Sequence, residues 1–350
     1  MTERTFNFTV TNITPLGAFA ASLTAGQLAD YTSNLPSLNA VASSGSRPWE
    51  TTALALAELG AGDQMLDWAS MMDVDPTTKR YYVAGGRPDY TQQPLKMVIF
   101  DEVANQIRAL DQWSGGNCGH LYRSTTVMPG PRKVVYFPNK GPLPALLDMD
   151  SETFSGNITY PPTNIGGFSN GWNTNHCVWH PTMGSQGAII FANNSRNRIV
   201  KFDWATQTWS ALGNYDGALW SAYFGMHYHP ITGKVIVCAS TSAENAAGVI
   251  IDSAGALSLT AVAPCTTVPG GQSNAQFFPH PTRDASISVC HNTNKFWTYE
   301  WSTNTWVDRG ALPTLLQSIY MIACPTSWGA LFFKYGSSGN SKAYAWKPNF

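Results

Sequence analysis

The stretch HPITGKVIV at residues 229–237 contains the pattern that decides the fold of this chain. A proline is followed by a short polar turn and then by an apolar, β-branched run of strand length. The same order recurs in HPTRDASISV at residues 280–289. Equivalent prolines lie 53, 52, 49, 51 and 44 residues apart, at Pro76, Pro129, Pro181, Pro230, Pro281 and Pro325. A repeat of about 50 residues, with room for four short strands, predicts small β-sheet units that stack around a common axis.

A second recurring pattern lies later in each unit. A third apolar run ends in an acidic residue, and a polar turn then leads to a strand with a tryptophan, as in DWATQTW at residues 203–209 and EWSTNTW at residues 300–306. This pattern resembles the hairpin between the third and fourth strands of kelch and galactose-oxidase-like propellers. The resemblance covers roughly four fifths of the chain. It implies an all-β fold, a six-bladed β-propeller of four-stranded blades with an N-terminal extension.

A propeller must close into a ring, because an open stack would leave a sheet edge unpaired. The last unit ends after its third strand, at residues 343–346, so its fourth strand must come from elsewhere. We predict that residues 52–60 (TALALAELG) supply this strand, although the composition of this run would also suit a short helix. The predicted domains are therefore an N-terminal arm at residues 1–48 and a propeller at residues 49–350.

The arm contains a strand pattern of its own. Residues 5–11 (TFNFTVT) alternate polar and apolar side chains, which places Phe6, Phe8 and Val10 on one face. Two interpretations stay open for this strand. It packs on its own propeller, or it is donated to the sheet edge of a neighbouring subunit. In the second case Phe6, Phe8 and Val10 are assembly residues.

The composition restricts the partners of the protein. The chain has 21 basic and 22 acidic residues, so it carries no charge excess to attract nucleic acid or an anionic membrane. No apolar stretch approaches the ~20 residues that span a bilayer. The first residues also lack the apolar core of a secretory signal. Four of the six cysteines fall inside predicted strands, as buried free thiols do. We therefore expect a reducing location, in the cytoplasm or in a virion, and no cofactor.

Histidine supplies the most suggestive cluster. His180, His229 and His280 stand directly before the repeat proline in three consecutive units, at the ends of predicted first strands. First strands line a propeller channel, so three imidazoles at equivalent places could bind a metal. Histidine also suits the extended backbone that precedes a proline. We therefore predict that these three histidines are structural and that the protein holds no metal.

Enzymes of three classes occur among propellers, and each class has its own kind of site. The Ser-x-Asp-x-Gly-x-x-Trp box of sialidase-like propellers is absent from the sequence. The copper site of galactose oxidase requires two histidines, two tyrosines and a cysteine linked to tyrosine, and His227, Tyr228 and His229 are the nearest local candidates. Paired carboxylates for glycoside hydrolysis would come from separate blades and leave no local motif. The sequence therefore neither requires nor excludes catalysis, and we expect a protein without catalytic activity.

Binding or assembly is the predicted role. The connections from each fourth strand to the next first strand contain aromatic residues between glycines and asparagines, which suit a sugar or a protein interface: Trp68, Tyr122, Trp172, Tyr215 and Trp220. Low charge, abundant Asn, Thr, Ser and Gly, and an arm before a compact module resemble virion proteins of tailed bacteriophages. We predict a structural or attachment component of a larger assembly, with other structural proteins or copies of itself as partners. A lectin-like propeller that binds surface glycan is the alternative, and a galactose-oxidase-like or glycoside-processing enzyme is the second alternative.

Overall fold

The computed structural model describes residues 16–34, 71–85, 95–104, 106–113, 123–137, 144–165, 175–193, 198–214, 225–238, 248–259, 276–290, 294–316, 321–334 and 342–350. Within these ranges, 24 strands form six sheets of four antiparallel strands each, which confirms the predicted all-β propeller. One α-helix, α1 (Leu16–Ser22), precedes the sheets. No helix in these ranges is long and apolar enough to cross a membrane.

Each blade is numbered in chain order. Blade I contains β2 (Asp73–Asp75), β3 (Arg80–Gly85), β4 (Leu95–Asp101) and β5 (Gln106–Trp113). Blade II contains β6 (Thr125–Met128), β7 (Lys133–Tyr136), β8 (Ala145–Asp148) and β9 (Thr153–Asn157). Blade III contains β10 (Asn175–His180), β11 (Ala188–Asn193), β12 (Arg198–Asp203) and β13 (Thr208–Asn214). Blade IV contains β14 (Gly225–His229), β15 (Lys234–Cys238), β16 (Gly248–Ile251) and β17 (Leu257–Leu259). Blade V contains β18 (Gln276–Pro279), β19 (Ala285–Cys290), β20 (Lys295–Glu300) and β21 (Thr305–Ala311). Blade VI contains β22 (Met321–Thr326), β23 (Gly329–Lys334), β24 (Lys342–Trp346) and β1 (Leu28–Asp30).

The first strands form the innermost layer. Each of them contacts the first strand of the next blade, and β22 of blade VI contacts β2 of blade I, so the ring is closed. Backbone hydrogen bonds join some of these neighbours, including Met72 N to the Ala323 carbonyl (2.9 Å) and Cys177 N to the Arg123 carbonyl (3.0 Å). An apolar cluster fills the seam between each pair of adjacent blades. This packing explains why second strands such as β15 carry buried apolar side chains on both faces.

The strand that closes the ring differs from the one we predicted. The outer edge of β24 pairs with β1, in the register Leu28 to Trp346, Ala29 to Ala345 and Asp30 to Tyr344. Because β23 occupies the other edge of β24, β1 fills the place that we predicted for residues 52–60. Residues 52–60 and the predicted domain boundary between residues 48 and 49 lie outside the described ranges.

The segment at residues 16–34 belongs to the propeller core. Leu16 and Tyr31 are fully buried, Leu23 is nearly so, and all three lie in the cluster that joins blades VI, I and II. The ring of Phe19 packs edge-on against Tyr31, with the centroids 4.9 Å apart. Part of the predicted arm is therefore the element that seals the ring.

The acidic residue that ends most third strands caps the turn after it. In blade III, Asp203 Oδ1 accepts hydrogen bonds from Ala205 N (3.0 Å) and Thr206 N (3.1 Å). Gln207 then takes a left-handed conformation, with φ of 54°, and Asp203 pairs with Thr208 across the hairpin. The equivalent Asp148 and Asp252 accept similar backbone bonds. The acid is there because a carboxylate satisfies the amides of a tight turn.

Gly187 permits the seam between blades II and III to pack. It precedes β11 with φ of +89°, and a Cβ there would lie 2.1 Å from Cζ2 of Trp179. We expect Gly187→Ala to lower the free energy of unfolding by about 2–4 kcal/mol, since it adds both backbone strain and overpacking. Chemical denaturation measures this loss. Gly130→Ala is the matched control, because no atom lies within 4 Å of a Cβ at that turn glycine. Equal losses in both variants would contradict the packing role.

Candidate functional site

The predicted binding residues lie outside the part of the chain that the structure describes. This holds for the five aromatic residues of the connections and for the three residues of the arm: Trp68, Tyr122, Trp172, Tyr215, Trp220, Phe6, Phe8 and Val10. The strand ends nevertheless show where those connections begin. We call the end of the propeller that carries the first-to-second and third-to-fourth turns the turn end, and the opposite end the loop end. The five aromatic residues belong to connections that leave from and return to the loop end.

In four blades, the residue before the repeat proline contacts a residue outside its own blade. In blade IV, His229 Nε2 donates a hydrogen bond to the Ala285 carbonyl of blade V (2.8 Å), and its Nδ1 accepts one from Thr232 N (3.3 Å). In blade V, His280 Nε2 donates to the Phe350 carbonyl (2.8 Å), and its Nδ1 accepts from Thr282 N (3.2 Å). Both nitrogens of each ring are thereby used by the backbone.

His180 and Asp75 make equivalent contacts in other blades. The His180 ring packs on Tyr228 of blade IV, with the centroids 5.1 Å apart. The buried carboxylate of Asp75 in blade I accepts a hydrogen bond from Arg132 of blade II (2.7 Å). Arg132 also binds the more exposed Asp150, at 2.7 Å. The aligned residues are therefore seam contacts of successive blades, and the three histidines face different partners. In the ranges that the structure describes, no three His, Cys, Asp or Glu side chains are grouped closely enough to hold a metal ion.

A second cluster lies where the first strands surround the axis. We call it the axial cluster, and its central residue is Arg123, which directly precedes blade II and is 5% exposed. Its Nη1 lies 3.1 Å from Met71 Sδ, beside blade I, and 3.5 Å from the Phe277 carbonyl of blade V. Its Nη2 lies 3.8 Å from Asp73 Oδ1, at an ion-pair distance that is too long for a hydrogen bond.

Two further blades contribute imidazoles to the axial cluster. Burial and the nearby Arg123 charge lower the pKa of His176 in blade III to about 3. The same two causes, with burial the larger, hold the pKa of His227 in blade IV well below its usual range. Both rings are therefore neutral near pH 7. Burial without a full set of charged partners also lowers the pKa of Arg123, but a guanidinium stays charged at any ordinary pH.

A hydrogen-bonded serine lies next to this cluster. Ser286 Oγ lies 2.9 Å from His227 Nε2 and accepts a hydrogen bond from Trp301 Nε1 (2.9 Å). A serine beside a histidine is the arrangement of an activated nucleophile. Ser286 and His227 are both fully buried between blades IV and V. We assign this pair a structural role in the seam.

The axial cluster was not predicted from the sequence. Arg123 and Asp73 are charged residues near the starts of first strands in two separate units. The available signal was a charged residue at the start of a strand that lines the axis. No motif marks the cluster, because the residues that surround Arg123 come from four other blades. One of them, Phe277, lies 154 positions away in the sequence.

Comparison with known proteins places the chain by fold. No protein-family model matches the sequence, and no curated protein matches it. An auxiliary nutrient binding protein from Bacteroides thetaiotaomicron is 12% identical, with a TM-score of 0.54, over 81% of this chain and 69% of that chain. The GH74 xyloglucanase from Xanthomonas campestris is also 12% identical, with a TM-score of 0.53, over 79% of this chain and 45% of that chain. A chain of the mitotic checkpoint complex is 10% identical, with a TM-score of 0.51, over 83% of this chain and 90% of that chain.

At such identities the likeness concerns architecture alone, because propellers support many unrelated functions. The resemblance to kelch and galactose-oxidase-like propellers therefore stays a prediction. The strand order, the closed ring and the structural neighbours together show that the protein is a six-bladed β-propeller.

Proposed function

We propose that the protein is a non-catalytic propeller that serves as a structural or attachment component of a larger assembly, such as a bacteriophage virion, and that its N-terminal arm makes the attachment. The supporting observation is the anchoring of residues 16–34 in the ring. Leu16 is fully buried in the cluster that joins blades VI, I and II. The strand pattern at residues 5–11 therefore comes shortly before a residue that is fixed in the core of the ring.

The anchor limits where that strand can reach. Four residues separate Thr11 from Leu16, so the last residue of this pattern must lie within about 20 Å of Leu16, at about 3.5 Å per residue. A strand held at a rim can extend the sheet of an adjacent subunit, with main-chain hydrogen bonds giving affinity and Phe6, Phe8 and Val10 filling pockets. The propeller then acts as a rigid body that the arm attaches.

Light scattering after size-exclusion chromatography tests this proposal. We expect the full chain to form a defined oligomer and the variant Phe6→Ser, Phe8→Ser, Val10→Ser to be monomeric with an unchanged unfolding temperature. The matched control substitutes the alternate positions of the same strand, as Thr5→Ser, Asn7→Ser, Thr9→Ser, and should assemble like the parent. A parent that stays monomeric both alone and with the other proteins of its particle would refute the proposal.

Carbohydrate binding is the second candidate function. Trp68, Tyr122, Trp172, Tyr215 and Trp220 belong to connections that leave from the loop end, and aromatic planes beside amide side chains suit sugar rings. Two of the structural neighbours are named for a nutrient and for a xyloglucan. A glycan array separates the two functions. Binding of one sugar class by both the parent and the arm variant, with both proteins monomeric, would favour the lectin function.

A further inference from the structure

The guanidinium of Arg123 is buried with incomplete pairing. Its Nε has no hydrogen-bond acceptor among the described residues. Its Nη1 is directed at a thioether sulfur, which is a weak acceptor, and at a carbonyl 3.5 Å away. A buried cation with so few good acceptors costs several kcal/mol. The ring therefore holds a positive charge at its axis that the described side chains only partly satisfy.

Asp73 does not fully neutralise this charge. Its Oδ2 accepts hydrogen bonds from Thr126 Oγ1 (2.8 Å) and Val127 N (2.9 Å), which hold the carboxylate against blade II. Its Oδ1 accepts one from Val74 N (3.1 Å) and stays 3.8 Å from Arg123 Nη2. The carboxylate thus accepts hydrogen bonds from neutral donors, and Arg123 Nε keeps no hydrogen-bond acceptor among the described residues.

The other groups around Arg123 are compatible with an anion. His176 and His227 are neutral, so they bring no second cation and no competing negative charge. The thiol of Cys177 is also neutral, because burial raises its pKa well above its usual range. Among the described residues near Arg123, Asp73 is thus the one negative charge.

We propose that the axial cluster binds one small anion, a halide or a carboxylate of acetate size, against the Nε edge of Arg123. The anion would complete the pairing of the guanidinium. A carboxylate or a halide would accept a hydrogen bond from Nε, the guanidinium nitrogen that lacks an acceptor among the described residues. We propose a small ion because Arg123 is 5% exposed. The bound anion would tie blade II to the groups of blades I and V that also contact Arg123.

Thermal unfolding at constant ionic strength is the first test. Replacing sodium gluconate, which is too large for the site, by sodium bromide or sodium acetate should raise the unfolding temperature of the full chain by about 2–5 °C, with saturation. Arg123→Met should abolish this dependence. Arg283→Met removes an exposed guanidinium on the same ring and should retain it. A larger rise in unfolding temperature with bromide would indicate a halide site, and a larger rise with acetate would indicate a carboxylate site.

Crystals grown in bromide provide a test that needs no variant. We expect an anomalous difference peak at hydrogen-bond distance from Arg123 Nε. Water alone at that position, with an unfolding temperature that does not depend on the anion, would overturn the proposal. Anion stabilisation that persists in Arg123→Met would overturn it as well. If Arg123→Met does not fold, the bromide peak in the parent protein decides the question.

Discussion

Removal of residues 1–34 is expected to abolish the cooperative unfolding of the propeller, whereas removal of residues 1–14 should leave its unfolding temperature unchanged. The longer deletion takes away β1, the strand that pairs with β24 and closes blade VI. It also takes away the buried side chains of Leu16, Leu23 and Tyr31. Losing a large buried side chain costs about 2–5 kcal/mol, so losing three of them and a strand is comparable to the roughly 5–15 kcal/mol that stabilises a typical protein.

Circular dichroism during heating measures both deletions. Ala29→Pro is a milder companion variant, because a proline inside a three-residue strand cannot donate to the ladder with β24. It should lower the unfolding temperature of the full chain. A protein that begins at residue 35 and unfolds as cooperatively as the parent would show that another segment, such as residues 52–60, can close the ring.

Mild acid is expected to destabilise the protein steeply. Five histidines in blades III, IV and V are buried, and burial lowers the pKa of each below 6.5: His176, His180, His227, His229 and His280. The unfolded chain therefore binds more protons than the folded chain below about pH 6.5. Stability is fully present above that pH and falls as the pH decreases towards each folded-state pKa. Each histidine contributes up to about 1.4 kcal/mol per pH unit in that range.

Urea unfolding between pH 7.5 and pH 5 measures this slope. His227→Gln keeps a group that can hydrogen-bond to Ser286 but cannot titrate, so it should reduce the slope by about one proton. Asp75 and Glu300 have pKa values below the usual range, through hydrogen bonds that outweigh the effect of burial, and they lose their stabilising effect only at lower pH. A midpoint that stays constant from pH 7.5 to pH 5 would contradict the assignment of these histidines as buried and neutral.

The repeating part of the fold could be predicted from local pattern. The acid at the end of a third strand is a signal of this kind, because Asp203 caps the turn within three residues of itself. The closing strand could not be predicted in the same way. β1 is three residues long, too short to show a period of two, while the Ala- and Leu-rich run at residues 52–60 has the length of a strand. The shorter segment closes the ring because Leu16, Leu23 and Tyr31 are buried beside it.

The alignment of His180, His229 and His280 was also visible in the sequence, but their role was not. A shared place before a proline suits a metal ring and a seam contact equally well. The structure shows Nε2 of His229 bonded to a carbonyl of blade V and Nε2 of His280 bonded to the carbonyl of Phe350, after blade VI.

The sequence by itself determined the number of blades, the four strands in each and the capped turns, because each depends on residues that are close together in the chain. The tertiary structure alone decided which strand closes the ring, where the aligned histidines point and that a buried arginine lies at the axis. These features depend on contacts between blades. Such contacts exist only after residues as far apart as Leu28 and Trp346, or Arg123 and Phe277, have been brought together by closure of the ring.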